Sequence, residues 1–373
     1  MRARSGDPSV RGATTKLEKL VHLGRSELEP LLMRLMRTAN PVHHSAAVLP
    51  SRWPARIARS DADLVHLHWM GSAMLSVADI ARVRRPVVWT LHDMWAFCGA
   101  EHLAADDRWR TGYTSDNRLA GETGPDLNRW TWNRKRRHWT RPIQIVTPSR
   151  WLADCVRQSA LMADWPVEVI PNALDTGVWS PIEPLTARHL LGLPPTAQLL
   201  VFSAFNGVRE PHKGFDLLAE ALARLRGHVP DLRLMVIGQA EPEQALDLGF
   251  PVHYCGRLND DLSLRVLYSA ADAMLIPSRQ DNLPNTGVEA LACGTPVIAF
   301  DIGGLPDIVT HEQTGWLARP FDTGDLAEGI RWVLADPGRH ARLREQARAE
   351  AVRRFAYPVV AGRYRALYER AIG

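Results

Sequence analysis

From Leu64 onward, short apolar and β-branched runs alternate with longer stretches in which apolar residues recur every three or four positions. The short runs read as strands and the longer ones as helices. The first half supplies LVHLHW (64–69), PVVWTLH (86–92), IQIVTPS (143–149) and VEVIPN (167–172). The second supplies QLLVFSAF (198–205), LRLMVIGQ (232–239), PVHYCG (251–256), AMLIPS (273–278) and PVIAFD (296–301). Strands separated by helices predict βαβ units and parallel sheets, an α/β fold of two doubly wound domains. Residues 1–172 are expected to form the first domain and 187–353 the second. PNALDTGVWSPIEPLT (171–186) breaks both periodicities, which places the linker at 173–186. A last helix over 354–373 is expected to cover the domains and to cross back to the first.

A chain of 373 residues is long enough for two such cores. Its 45 basic against 41 acidic residues are too nearly balanced to indicate a nucleic-acid partner; the pI near 9.0 permits acidic ligands. The four cysteines, Cys98, Cys155, Cys255 and Cys293, form no C-x-x-C pair and sit mostly among apolar residues, as in a reducing cytosol. No run has the length of a signal h-region or a bilayer span. A cytoplasmic protein, with peripheral attachment at the inner membrane face as the alternative, is expected.

In open parallel sheets ligands bind beyond the carboxyl ends of the strands. His92, Asp93, Ser149, Asn172, Asn206 and Ser278 all come directly after predicted strands. After AMLIPS the segment Ser278–Pro296, SRQDNLPNTGVEALACGTP, makes a polar turn and then a helix starting near Asn285 or Thr286 and stopping at Gly294. Asn285, Thr286 and Gly287 would offer free backbone N–H groups to a diphosphate. Asp281 and Glu289, eight positions apart, can both face a ligand there. Spacing alone favours the plainer reading of a cap region and a solvated glutamate. HKGFDLLAEAL (212–222) places Lys213 at another helix start, an unfavourable end for a cation unless it serves a phosphate.

Ser278–Pro296 resembles the E-x7-E signature of retaining glycosyltransferases of the GT-B fold, in particular glycosyltransferase family 4 (group 1), with Asp281 where glutamate is usual. The resemblance continues through CGTPVIAFDIGGLPDIV (293–309), TGWLARPFDTGDLAEGI (314–330) and YCGRLNDDLSLRVLYSAADAMLIPS (254–278), and spans nearly the whole chain from Ser60. TLHDMWAFCGAEH (90–102) resembles a segment of glycosyltransferases of exopolysaccharide synthesis. The resemblance implies two Rossmann-like domains. It implies a nucleoside-diphosphate sugar as co-substrate, with no cofactor and no metal, and a hexose passed with retention to a glycan or lipid-linked acceptor. His92 and Asp281 take the catalytic positions. Glu289 meets the donor ribose, Lys213 the diphosphate, and Gly256, Arg257 and Leu258 the base. The family's arginine five residues before the lysine is replaced by Val208, so Arg209 or Asn206 stands in. Asp93, Ser149 and Asn172 fall on the acceptor side. MRARSGDPSV resembles the segment that lies just beyond the family's first strand and helix, which implies a first domain without those elements, roughly 40 residues in relatives.

Several features read as structural. His66 and His68 point to one side of a strand, but no third metal ligand is apparent. Asp61-Ala62-Asp63 precedes its strand and is not a strand-end D-x-D. NRWTWNRKRRHW (128–139) and the stretch Lys16 to Arg37, interrupted at Pro30, read as helices with one buried face; anionic membrane contact is the alternative. Two other functions fit the same plan: a nucleotide-sugar epimerase, and a nucleotide-sugar-binding subunit with reduced or no catalysis. No G-x-G-x-x-G comes after a first strand, which disfavours a nicotinamide dehydrogenase.

Overall fold

The computed structural model describes residues 16–71, 73–203, 211–241 and 248–373. The segment MRARSGDPSV, and Asn206, Val208 and Arg209, lie outside the described residues. The chain divides into two compact units. Unit 1 comprises Met1–Thr147, Leu152–Val169 and Leu367–Gly373, and unit 2 comprises Pro148–Trp151 and Ile170–Ala366.

Unit 1 is built on a four-stranded sheet, β1 (Val65–Leu67), β2 (Val87–Thr90), β3 (Gln144–Thr147) and β4 (Val167–Val169), in that order and all parallel. Among the described residues no strand precedes β1. Its core is aromatic. Trp89 stands edge-on to Trp95 and Trp139, with ring centroids 6.3 and 5.4 Å away. The indole N–H groups of Trp95 and Trp139 donate to the carbonyls of Ser45 and Val77 at 2.8 and 2.9 Å, so neither buried donor is stranded. The basic, tryptophan-rich stretch forms the helix Leu127–His138. It turns Trp132 inward and leaves Trp130 41 % exposed. Lys135 of this helix is fully buried, its ammonium donating to the carbonyls of Trp95, Cys98 and Gly99 over the Trp95 ring. Burial pushes that ammonium down in pKa, and the carbonyls and ring offset much of the cost of holding a charge there.

Unit 2 is a six-stranded parallel sheet of β5 (Gln198–Ser203), β6 (Leu232–Ile237), β7 (Val252–Tyr254), β8 (Ala273–Ile276), β9 (Val297–Phe300) and β10 (Gly315–Ala318), in the order β10-β9-β8-β5-β6-β7. Both faces are buried, which is why these strands read as continuous apolar runs. Leu199, Val201, Met274, Ile276, Val297 and Ala299 pack on one side with Val288, Leu291 and Phe355. Their alternates Leu200, Phe202, Leu275, Ile298 and Phe300 pack on the other with Leu218, Leu222 and Ile330. β10, absent from the predicted strands, is a four-residue edge too short for alternation to show. It opens on Gly315, where a Cβ would lie 1.8 Å from the Val297 carbonyl oxygen.

The segment read as a linker is fastened within unit 2. Leu174 N–H donates to the Phe355 carbonyl at 2.8 Å, and Arg348 reaches the carbonyls of Thr176 and Trp179 at 2.9 and 2.7 Å. The last helix, Tyr357–Ile372, ends in the residues assigned to unit 1, where Tyr368 meets His66 at 2.7 Å and Arg370 meets Glu168 at 2.6 Å.

Candidate functional site

In unit 2 the strand order runs outward in opposite directions from the β5/β8 pair: β6 and β7 on one side, β9 and β10 on the other. At such a point of reversal doubly wound sheets hold ligands, beyond the carboxyl ends of the strands. Lys213 follows β5 on a single 3-10 turn, Pro211–Lys213, and Asp281 follows β8. Their side chains meet, Nζ to Oδ2, at 2.7 Å. Ser278 Oγ donates to the same carboxylate oxygen at 3.1 Å, and the Asn282 N–H reaches the other at 3.2 Å.

The backbone around this pair is held by close approaches that only glycine permits. Gly214 has φ +68°, and a Cβ there would lie 1.9 Å from the Pro277 carbonyl oxygen. After β9, Gly304 packs so tightly that a Cβ would come within 1.4 Å of the Asn282 carbonyl oxygen. Arg279 ties the two loops together. Its N–H donates to the His212 carbonyl at 2.7 Å, and its guanidinium grips both oxygens of Asp216 at 2.7 and 2.5 Å.

The helix Asn285–Ala292 then leaves the loop with Pro284 as its N-cap and no side chain capping it, so its first-turn N–H groups are not closed off by a side chain. Gly287 lets the helix lie close on the sheet: a Cβ would stand 2.8 Å from Ile276 Cδ1. Glu289, one turn further, accepts from the Tyr268 hydroxyl at 3.3 Å. Burial pushes its carboxyl up to about 7, with the charge of Asp261 adding to the effect and the tyrosine hydrogen bond opposing it. Asn172 donates to Asn285 Oδ1 at 3.1 Å, and Ser149 Oγ to Asn282 Oδ1 at 2.6 Å. Asn172 thus meets the first residue of the helix, and Ser149 the loop that carries Asp281. The turn Gly256–Leu258 follows β7, with Gly256 at φ +64° exchanging backbone bonds with Gly238 and Gln239 beside the end of β6.

In unit 1 a second group of polar side chains gathers at the carboxyl ends of β1 and β2. His68 Nδ1 lies 3.0 Å from His92 Nε2, and the His66 ring is tilted against that of His68 with centroids 4.2 Å apart while its Nε2 meets Thr90 Oγ1 at 2.8 Å. Each ring packs partly against protein. That burial lowers all three pKa values, to about 3 for His66 and about 4 for His68, with neighbouring imidazoles adding to the effect in those two. The rings are neutral at pH 7. Asp93 accepts from His102 Nδ1–H at 2.6 Å, and His102 Nε2 meets Ser45 Oγ at 3.0 Å. No group of three or more histidine, cysteine, aspartate or glutamate side chains among the described residues is arranged to hold a metal ion.

The sequence singles out Lys213, Asp281, Asn285, Glu289, His92 and Asp93 one by one as candidates but gives no sign that the first two meet. It passed over Ser45, Trp69, His102, Tyr268 and Arg279. The polar HLHW run at a strand end carried a signal for Trp69; nothing local marked the others.

These features define a protein of two doubly wound units, the second with a lysine, an aspartate and an uncapped helix start gathered at a topological switch point. Residues 24–178 match the family model Glycosyltransferase Family 4, and residues 199–350 match Glycosyl transferases group 1. The chain belongs to the group 1 glycosyltransferases of the GT-B fold. It is 31 % identical over 218 residues to the D-inositol 3-phosphate glycosyltransferase of Segniliparus rotundus, covering 55 % of this chain and 47 % of that protein. To the protein of the same name from Xylanimonas cellulosilytica it is 34 % identical over 222 residues, covering 55 % and 51 %. The chain thus spans about half the length of the curated relatives it matches. Among solved structures it superposes on sucrose-phosphate synthase from Thermosynechococcus elongatus with a TM-score of 0.65 at 22 % identity, covering 85 % of this chain and 76 % of that one. HepE of Anabaena, solved in complex with UDP-glucose, gives a TM-score of 0.62 at 20 % identity over 83 % and 79 % of the two chains.

Proposed function

We propose that the protein transfers a hexose, with retention, from a nucleoside-diphosphate sugar to a glycan or lipid-linked acceptor. The observation that carries this reading is the meeting of Lys213 and Asp281 at the β5/β8 switch point, beside the uncapped helix Asn285–Ala292 that bears Glu289. With no donor bound, Lys213 is neutralised by Asp281. An entering diphosphate recruits the ammonium, and the carboxylate is released toward the sugar hydroxyls. Glu289 accepts from the ribose. In the transfer step the acceptor oxygen bonds to the anomeric carbon as the bond from that carbon to the phosphate oxygen breaks. The acceptor's proton passes to the leaving diphosphate, whose charge Lys213 and the helix N–H groups hold without a metal. The family membership and the UDP-glucose held by HepE support a nucleotide sugar as donor.

No described helix is long and apolar enough to cross a membrane. We place the protein in the cytoplasm with peripheral membrane contact. Support comes from the exposed leucines 20, 23, 28 and 31 of the helix Lys16–Met33 and from a groove lined by Arg129, Trp130, Arg136 and Arg137.

The donor reading is tested by a thermal-shift screen of UDP-, GDP-, ADP- and dTDP-sugars followed by radiolabelled transfer. At least one donor stabilises the wild type, and Lys213→Ala lowers turnover of that donor by about 100-fold, the loss typical of one stabilising group. Full activity in a folded Lys213→Ala protein would overturn the reading.

A further inference from the structure

The polar group at the carboxyl ends of β1 and β2 has a composition unlike that of the donor crevice. Trp69 lies two residues beyond β1 and is 39 % exposed, unlike the buried indoles of Trp89, Trp95 and Trp139 in the same unit. Its ring is flanked by His102 and His43, with centroids 5.7 and 6.0 Å away. The rings of His43, His68 and His92 also present exposed surface. Beneath them a buried network fixes the geometry. His102 donates through Nδ1 to Asp93 at 2.6 Å and meets Ser45 through Nε2 at 3.0 Å; Asp93 also accepts the Trp95 N–H at 3.0 Å.

Ser45, His102 and Asp93 have the connectivity of an acyl-transfer triad. Ser45 is 0 % exposed, so no substrate carbonyl can reach it, and the network is a support, not a nucleophile. The support has a consequence for the indole. The Trp69 N–H is 3.3 Å from His102 Nδ1, a nitrogen whose own hydrogen is committed to Asp93 at the shorter distance. Two donors face one another there, which leaves the indole N–H better matched to an oxygen brought by a ligand.

The charges of such a surface decide its ligand. Burial keeps the imidazoles of His43, His68 and His92 neutral, each with one donor and one acceptor nitrogen, the pairing that sugar hydroxyls require. Asp93 brings a carboxylate to the group, which disfavours phosphate. A flat, partly exposed indole offers an apolar face for the C–H side of a pyranose. We propose that the group centred on Trp69, His43, His92 and Asp93 is an acceptor subsite that takes a neutral pyranose ring stacked on Trp69, and that it discriminates against acceptors whose recognised group is a phosphate. This rests on the transferase reading above and specifies its acceptor as carbohydrate. It also separates this chain from relatives whose names specify an inositol phosphate.

The test uses the full chain and ligand-observed saturation-transfer NMR with methyl glycosides of glucose, galactose and mannose, and with D-inositol 3-phosphate as the anionic probe. At least one glycoside receives saturation from the wild type. Its affinity falls about tenfold in Trp69→Ala, the worth of one stacking contact, and stays within about threefold in Trp69→Phe, which keeps a ring. The inositol phosphate shows weaker transfer than the glycosides. Glycoside binding unchanged in Trp69→Ala, lost equally in Trp69→Phe and Trp69→Ala, absent from the wild type, or weaker than that of the inositol phosphate would each overturn the subsite. Calorimetric titration of the same wild-type sample with UDP, GDP, ADP and dTDP reads the donor crevice separately. A wild type that binds a glycoside through Trp69 but none of the nucleotides sinks the donor reading alone.

Discussion

Glu289 offers a measurement in which stability and donor binding respond oppositely to one substitution. Its carboxyl is raised from 4.5 to about 7, chiefly by burial in the second turn of the helix Asn285–Ala292. At 1.36 kcal/mol per pKa unit, this corresponds to about 3 kcal/mol between the two protonation states. Because the folded protein holds the proton more tightly than the unfolded chain, the contribution is complete below pH 4.5 and is lost as pH rises through 7. Glu289→Gln removes the ionisation. Between pH 5 and 8.5 the wild type should therefore lose stability that the variant keeps, so that the variant melts several degrees higher at pH 8 and within a degree or two at pH 5. Scanning fluorimetry across that range reads the difference. Nucleotide binding should move the other way, since a ribose hydroxyl is accepted best by the ionised carboxylate. At pH 7 the wild type releases about half a proton on binding, and its affinity falls about tenfold per unit below that pH; the variant shows neither effect and binds more weakly. Calorimetry in buffers of different ionisation enthalpy counts the proton. Equal pH profiles of melting in the two proteins would refute the buried-carboxyl argument. Binding by the wild type without proton release would refute the ribose contact.

Two further outcomes are expected from the same geometry. Gly304→Ala places a Cβ where the Asn282 carbonyl oxygen stands and must push the loop bearing Asp281 away; donor-induced thermal stabilisation should disappear, with the fold of unit 2 retained by circular dichroism, and an undiminished shift would show that the loop tolerates displacement. Arg136→Glu combined with Arg137→Glu reverses the charge of the groove on the helix Leu127–His138. Co-sedimentation with phosphatidylglycerol vesicles should fall at least tenfold, each basic residue near such a surface being worth about 1 kcal/mol; equal sedimentation of variant and wild type would remove the membrane contact.

The doubly wound architecture was legible because strands buried on both faces must be apolar at every position, as in QLLVFS and AMLIPS, and such runs stand out between helical periodicities. The segment proposed for the donor stands out for a related reason: a polar turn between a buried strand and a helix is a local pattern, and DNLPNTGVE carries it in consecutive residues. By contrast, β10 was too short to show a period, and the glycines at 214 and 304 gave no sign of which carbonyl each must clear. Tertiary structure alone decided that Lys213 meets Asp281 across 68 positions of sequence, that Arg279 joins their loops, and that His102 reaches both Asp93 and Ser45. The physical reason is that parallel sheets bring together the ends of strands separated by whole helices. The order β10-β9-β8-β5-β6-β7 makes neighbours of β5 and β8, and that order is set by packing of the crossover helices on both faces. The sequence singled out the candidates for phosphate, ribose and sugar contacts; the sheet order determined which of them meet.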